Sequence, residues 1–231
     1  LYLDRTGPWR AALSALLGTA LDLYESEQLD GLILHGLPAD ADIDHALTDE
    51  GFSRWPLPDR HRIDLTDGGF ARIVSDKPRK TRRRLEQRIA EHTAFEVRAP
   101  DASTCWDHLH ALYMEVATRH YDLNMHHLPQ RLFPALHDST AWDLRLLHLP
   151  AAAGGPAHGK PVAFYAAHHH GDRYAPLVCG LDYAYVETRG AYRHLLLDMV
   201  LRAEALGAGQ VDMGMTADEE KRRLGSHQQA L

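Results

Sequence analysis

From Trp142 onward the hydrophobic period of the chain changes, and this constrains the fold more than any other feature. Trp142–Leu149, Pro161–His169 and Tyr174–Tyr183 read as strands, separated by the Gly154-Gly155-Pro156 loop and the Gly171-Asp172 turn. Breakers of this kind between short apolar runs predict three consecutive antiparallel strands. Gly190–Leu206 then places Leu195, Leu196, Met199, Val200 and Ala203 at helical spacing, and Gly209–Met213 returns to a strand. If the strands flanking this helix are parallel neighbours, their connection is a right-handed crossover. Ligands of open α/β sheets bind at the carboxyl end of a strand, where the next helix presents its N-terminus. Arg189, Gly190 and Ala191 stand at that junction.

Upstream, helical period dominates. Trp9–Glu27, Asp42–Thr48, the basic Arg79–His92, Ser103–Tyr121 and Pro129–Leu136 read as helices, with Gly31–His35, His61–Leu65 and Ala94–Val97 as short strands. Trp106, Leu109, Tyr113, Val116 and Ala117 share one face of the fourth helix. A short charged helix, Asp218–Leu224, follows the last strand, and no repeat of solenoid length is visible. The fold class expected is α/β (α+β), a central mixed but mostly antiparallel sheet flanked by helices. The first four elements cannot complete a sheet of their own and read as part of a domain.

The net charge of −7 over 231 residues argues against a surface built for DNA or an anionic membrane. No run of eighteen apolar residues occurs, and Leu1–Arg10 lacks the regions of a signal peptide, so no membrane span is expected. Cys105 and Cys179 are distant in sequence and read as free thiols in a reducing, cytoplasmic setting. The chain opens without Met and closes just after a helix-like segment, so both ends are expected to be cut or disordered.

Free N–H groups and the helix dipole make the start of the Gly190–Leu206 helix a ready seat for a pyrophosphate. Gly190 permits close approach and Arg189 adds a charge-assisted contact. Three histidines, His168-His169-His170, invite a metal reading, but successive strand residues point to opposite faces, so no metal site is expected there or at His126-His127. Lys77–Arg84 holds six positive residues in eight positions. Such a run reads either as a phosphate clamp, on CoA, a nucleotide-linked substrate or tRNA, or as a solvated face balanced by Glu86 and Glu91.

The order of helices, three strands, Arg-Gly turn, long helix, strand and Lys-bearing helix resembles the GNAT acyltransferase superfamily. It is most similar to the FemAB-like branch and to related acetyltransferase domains of bacterial type, some fused to oxononanoate synthase-type enzymes. Ser75-Asp76-Lys77-Pro78-Arg79, Gly180-Leu181-Asp182, Asp212-Met213-Gly214 and Lys221-Arg222-Arg223-Leu224-Gly225 carry the resemblance, over about residues 60–231. It implies a GNAT fold at 73–231, with its last strands cut short, preceded by a partial GNAT-like half at 1–72. The chain keeps only Arg189-Gly190-Ala191 of the superfamily's fuller phosphate loop, an Arg or Gln, two residues, Gly, one residue, and Gly or Ala.

The resemblance implies direct attack of an amine on an acyl carbonyl, with an oxyanion steadied by backbone N–H on the strand around Val178, Cys179 and Gly180. Glu187, His168, His170 and Asp182 are the candidate bases, and Tyr183, Tyr185 or Tyr192 candidates to return a proton to the thiolate. Lys221 stands where Fem-like proteins have a Lys, with a surface pairing to Glu219 or Glu220 as its other reading. Lys77, Arg79 and Tyr113 are the expected substrate contacts. The function implied is an N-acyltransferase using acyl-CoA, acetyl-CoA above all, with no metal and with a small amine or amino-acid-like acceptor. Two rivals remain: a tRNA-dependent aminoacyltransferase, and a non-catalytic module positioning a fused or partner biosynthetic enzyme.

Overall fold

A computed structural model describes residues 4–34, 37, 40–55, 58–119, 127–156 and 159–229. The chain divides into two compact units, one within residues 1–59 and the other Arg60–Gln229. In the first, helix α1 (Trp9–Ser26) and helix α2 (Ala41–Asp49) bury Leu13, Leu17, Ile43 and Leu47 together. Asp40 caps α2 by accepting from the N–H groups of Asp42 and Ile43. The strand expected over Gly31–His35 is not formed at residues 31–34, and His35 lies outside the described residues.

The second unit is a mixed α/β sandwich. Its further elements are β1 (Arg60–Asp64), α3 (Gly69–Ser75), α4 (Arg79–His92), β2 (Glu96–Arg98), α5 (Trp106–Arg119) and α6 (Leu132–Asp138). There follow β3 (Trp142–His148), β4 (Pro161–His170), β5 (Arg173–Leu181), α7 (Tyr183–Arg189), α8 (Ala191–Ala205), β6 (Gln210–Gly214), α9 (Asp218–Arg223) and β7 (His227–Gln229). The seven strands form one sheet in the order β2-β3-β4-β5-β6-β1-β7. All neighbours are antiparallel except β5 and β6. β1, grouped by its position in the chain with the N-terminal elements, is instead an interior strand of this sheet, between β6 and β7.

Alternation along β4 distributes the core between the two sides of the sheet. Phe164 and Ala166 join Leu109, Leu112, Phe133 and Leu144 under α5 and α6. Ala163, Tyr165 and Ala167 join Leu195, Val200 and Phe70 on the side of α8 and α3. No helix among the described residues is long and apolar enough to cross a membrane.

Candidate functional site

β5 and β6 pair in parallel only at Arg173–Gln210 and Tyr174–Val211. β6 pairs with β1 along its other edge from Gln210 to Gly214, so beyond Val211 it keeps only that partner, and β5 continues with β4 alone. A register shift opposite Ala166 and Ala167 leaves Leu177 unpaired on β5, the local kink of a β-bulge. A wedge therefore opens beside β5. The Asp182 N–H donates to the Val162 carbonyl, so the alternation of an antiparallel pair turns the N–H groups of Cys179 and Leu181 away from β4 and into the wedge. Of Val178, Cys179 and Gly180, only Cys179 turns its N–H into the wedge. Gly180 faces the other way: a Cβ there would lie 2.7 Å from the Tyr113 backbone nitrogen and against the Phe164 ring, so glycine is needed for α5 to approach. Val178 also packs on the α5 side.

The strand does not run straight into the long helix. A seven-residue helix, α7, intervenes, capped by the Asp182 side chain accepting from the Ala184 N–H. Arg189 is thus the last residue of α7, next before the Gly190 cap of α8, and its guanidinium lies over Gly154. Gly190, at φ 65°, ends α7 and starts α8 in a conformation that costs most other residues strain. Its carbonyl accepts from Arg193 and His194, which leaves the N–H groups of Ala191 and Tyr192 as those of the first turn without an intrahelical partner.

At this helix start lies a cavity of about 400 Å³, bounded by α4, the α7–α8 corner and α9. Arg84 and Arg88 of α4, Arg189, Arg193 and Arg223 line it together with Gln87, Glu91 and His194. One carboxylate, Glu220, holds three of the guanidiniums: Arg223 at 2.7 Å, Arg193 at 3.0 Å and Arg88 at 3.5 Å. The cavity drew on residues that sequence spacing could not associate, since Arg88 and Arg223 are distant along the chain.

Lys221 is an expected site residue, but its burial was not foreseen. Far from pairing at the surface with Glu219 or Glu220, it is 3% exposed, and its Nζ donates to the Met215 carbonyl. Burial pulls its ammonium down to about 8, against the smaller opposing influence of Cys179, Asp218 and Asp212. The Cys179 thiol beside it is pushed up to about 11 by burial. The Tyr192 phenol is raised by burial and then by Cys179 and Tyr183, and remains a proton donor at neutral pH. Tyr183 is raised by burial too, and the Arg119 guanidinium lies 3.9 Å over its ring. Cys179, Tyr183, Tyr192 and Lys221 thus influence one another at the wedge.

The remaining candidates fall elsewhere. Glu187 is exposed on α7, and Asp182 serves as its cap. His168 pairs with Ala175, four residues from Cys179 along β5 and so about 13 Å away. His168 and His170 stack with ring centroids 6.3 Å apart, and no group of three metal-ligating side chains stands together among the described residues. His126 lies outside them. Tyr185 is partly buried against the α8-side core. Lys77 donates to the Arg222 carbonyl at 3.1 Å, Arg79 is exposed, and neither lines the cavity. Tyr113 is buried, and its hydroxyl accepts from the Leu128 N–H.

A bulged strand splayed from its parallel neighbour, with an arginine-lined cavity at the following helix, defines an α/β protein built around a split sheet. A family model for the acetyltransferase (GNAT) domain matches residues 76–222, and the chain belongs to that family. No curated protein matches its sequence. Among solved structures it is similar to FemX, with a TM-score of 0.56 and 13% identity over 95% of this chain and 74% of that one. A GCN5-related glucosamine N-acetyltransferase region of a fungal multi-domain GH3 β-N-acetylglucosaminidase gives 0.58 and 12%, over 98% of this chain and 28% of that one. L-PGS from Bacillus licheniformis gives 0.51 and 14%, over 83% and 63%. At these identities the likeness is one of fold.

Proposed function

We propose that this domain transfers an acyl group, acetyl foremost, from acyl-CoA to the amine of a small or amino-acid-like acceptor. The observation that carries the reading is the splay of β5 from β6, with an arginine-lined cavity at the head of the helix that connects them. The diphosphate of the donor sits on the α8 first turn with Arg193 and Arg189, and the thioester reaches along β5. The acceptor nitrogen attacks the carbonyl, and the Cys179 N–H steadies the oxyanion. Lys221, half neutral near its shifted value of about 8, takes the proton that the nitrogen sheds. The C–S bond then breaks, and Tyr192 or Tyr183 protonates the departing thiolate. Two unlinked cysteines are consistent with a cytoplasmic setting.

A second donor has its own support. Arg79, Lys80 and Arg83 continue the basic face of α4 as exposed side chains, which suits the phosphates of an aminoacyl-tRNA. Titration calorimetry with acetyl-CoA separates the two. Binding that weakens in Arg193→Ala supports the acyl-CoA reading, and absence of heat at millimolar ligand overturns it. Bound acetyl-CoA with no turnover across a panel of amines would favour a non-catalytic module.

A further inference from the structure

Lys221 is buried by a helix that cannot hold its place alone. α9 has six residues and no side-chain cap, and the chain enters it through Thr216 and Ala217, both at positive φ, 60° and 53°. Left-handed backbone strains residues other than glycine, a β-branched one such as Thr216 most of all, and it persists only where its surroundings impose it. A helix of this length is not stable by itself. Contacts from outside α9 must therefore fix both the strained entry and the lysine that follows it.

His61 supplies them. The register of β1 shifts between His61 and Arg62, and irregularities of this kind re-aim a side chain. The ring is fully buried, and its two nitrogens reach the two ends of α9. Nε2 lies 3.0 Å from Oδ1 of Asp218, the first residue of the helix; an ionised carboxylate only accepts, so Nε2–H donates. That bond is the main cause holding the Asp218 carboxyl below its ordinary value. The other Asp218 oxygen accepts from the Gln228 amide of β7 at 3.2 Å. Nδ1 lies 2.8 Å from the hydroxyl of Ser226, just past the Leu224 cap that closes α9. The Ser226 N–H donates in turn to the Lys221 carbonyl at 3.2 Å, and Lys221 Nζ donates to the carbonyl of Met215, the residue before the strained pair. One imidazole thus braces the helix at both ends, with Lys221 between them.

We propose that His61 is a positioning residue: through Asp218 and Ser226 its ring clamps α9 on the sheet and keeps the Lys221 amine buried beside Cys179. The inference deepens the acyl-transfer reading, on which the role of Lys221 as base rests, while the clamp itself is open to test without a substrate. Cys179 on β5, Asp212 on β6 and Asp218 on α9 are the charges that reach Lys221, and each favours its protonated form. Burial alone opposes them. Freeing α9 therefore returns the amine to water and to its ordinary value, protonated and useless as a base at neutral pH.

The lysines of the chain are Lys77, Lys80, Lys160 and Lys221, so NMR of the whole chain, isotope-labelled at lysine Cε, follows the ionisation of Lys221 directly. Its signal is assigned by its loss in Lys221→Met. The Asp218 side chain is 45% exposed, so its replacement leaves the fold intact, which a thermal melt verifies. Asp218→Ala removes a negative charge and the clamp together, and the two act in opposite directions. Loss of the charge alone would move the Lys221 midpoint below about 8, whereas release of α9 moves it up toward the ordinary 10.5. The expected result is a rise. Asp218→Asn, which keeps an acceptor for Nε2–H, should leave the midpoint at about 8 or lower it. His61→Leu should raise it, and His61→Gln, whose amide reaches as far as Nε2, should restore it; if His61→Leu does not fold, the Asp218 pair decides. A fall in Asp218→Ala, or a rise in His61→Gln equal to that in His61→Leu, overturns the clamp and leaves the acyl-transfer reading standing. A rise in Asp218→Ala beside full turnover in Lys221→Met upholds the clamp and overturns the base.

Discussion

The two sides of the sheet are built from different material. Under α5 and α6 the contacts are aromatic and aliphatic: Phe133 meets Phe164 edge-on at 5.5 Å, and Tyr113 tilts on Phe133 at 5.7 Å. The side of α8 is as well buried, yet it encloses His194, Asp198 and Lys221. There a chain of hydrogen bonds runs from His92 through Asp198 and the hydroxyls of Tyr165 and Tyr174 to Asp143, which Arg202 clamps at 2.8 Å. Buried polar groups cost free energy unless paired, so a protein that wanted only stability would build both layers like the first. The second layer is where binding and proton transfer are proposed, and orphaned His92 Nδ1 and His194 Nδ1 lie in it.

If that division of labour is real, substitutions on the two sides should fail in different ways. The largest effect is expected for Lys221→Met, which matches the volume and removes the amine: turnover should fall by about 10²–10⁴-fold. A buried cation without an ion pair stabilises little, so the melting temperature should hold or rise. In the unmodified chain, turnover should rise with pH through about 8 as Lys221 loses its proton, and any residual activity of the variant should lack that limb. A pH-rate profile beside a thermal melt checks both. Phe133→Ala, on the apolar side, should do the reverse. It should cost about 3–5 kcal/mol of stability in denaturant titration, with CoA affinity unchanged where the variant is folded.

These contrasts also explain what the sequence disclosed. Period and breakers placed β3, β4, β5, α8 and β6 because each buries a regular face, as Leu195, Val200 and Ala203 do in α8. α7 escaped notice because Tyr183–Arg189 is too short for a period to emerge, although Asp182 ahead of Ala184 was a cap signal in plain view. Lys221 lies in the run Asp218–Arg223, which is charged throughout, and only the packing of α9 on the sheet at β1 hides its amine from water. The cavity was half legible: Arg189, Gly190 and the basic α4 stood out, but Arg193 and Arg223 entered through tertiary contacts that no local pattern encodes.

Gly180 joins the two sides, and its replacement should be felt on both. A Cβ at this position meets backbone, the Tyr113 nitrogen at 2.7 Å and the Leu112 carbonyl carbon at 2.8 Å, so neither can yield without moving α5. Gly180→Ala should cost about 1–3 kcal/mol. Because the strand must shift to relieve the clash, the Cys179 N–H shifts with it, and turnover should fall more than CoA affinity does. A loss of stability with unchanged turnover would mean that the β5 edge is not the reaction's wall.

The smallest effect separates the sides by pH. Burial, and then the neighbouring His92 and Arg88, hold the His194 imidazole down to about 4, with Glu91 opposing weakly. The unfolded chain takes up this proton near its ordinary value of about 6.5, while the folded chain refuses it until about 4. The unfolded state therefore binds more protons across that window, and stability, level above it, falls as the pH is lowered. Between pH 7 and roughly 5.5 the loss assignable to this residue is about 1 kcal/mol. His194→Leu should flatten that part of the stability profile, whereas Phe133→Leu, across the sheet, should lower the whole curve and leave its slope alone. Addition of CoA should restore stability to the unmodified chain more strongly at the acid end, since a phosphate in the cavity that His194 lines favours the protonated ring. Equal stabilisation at both ends would place the bound phosphates out of reach of His194.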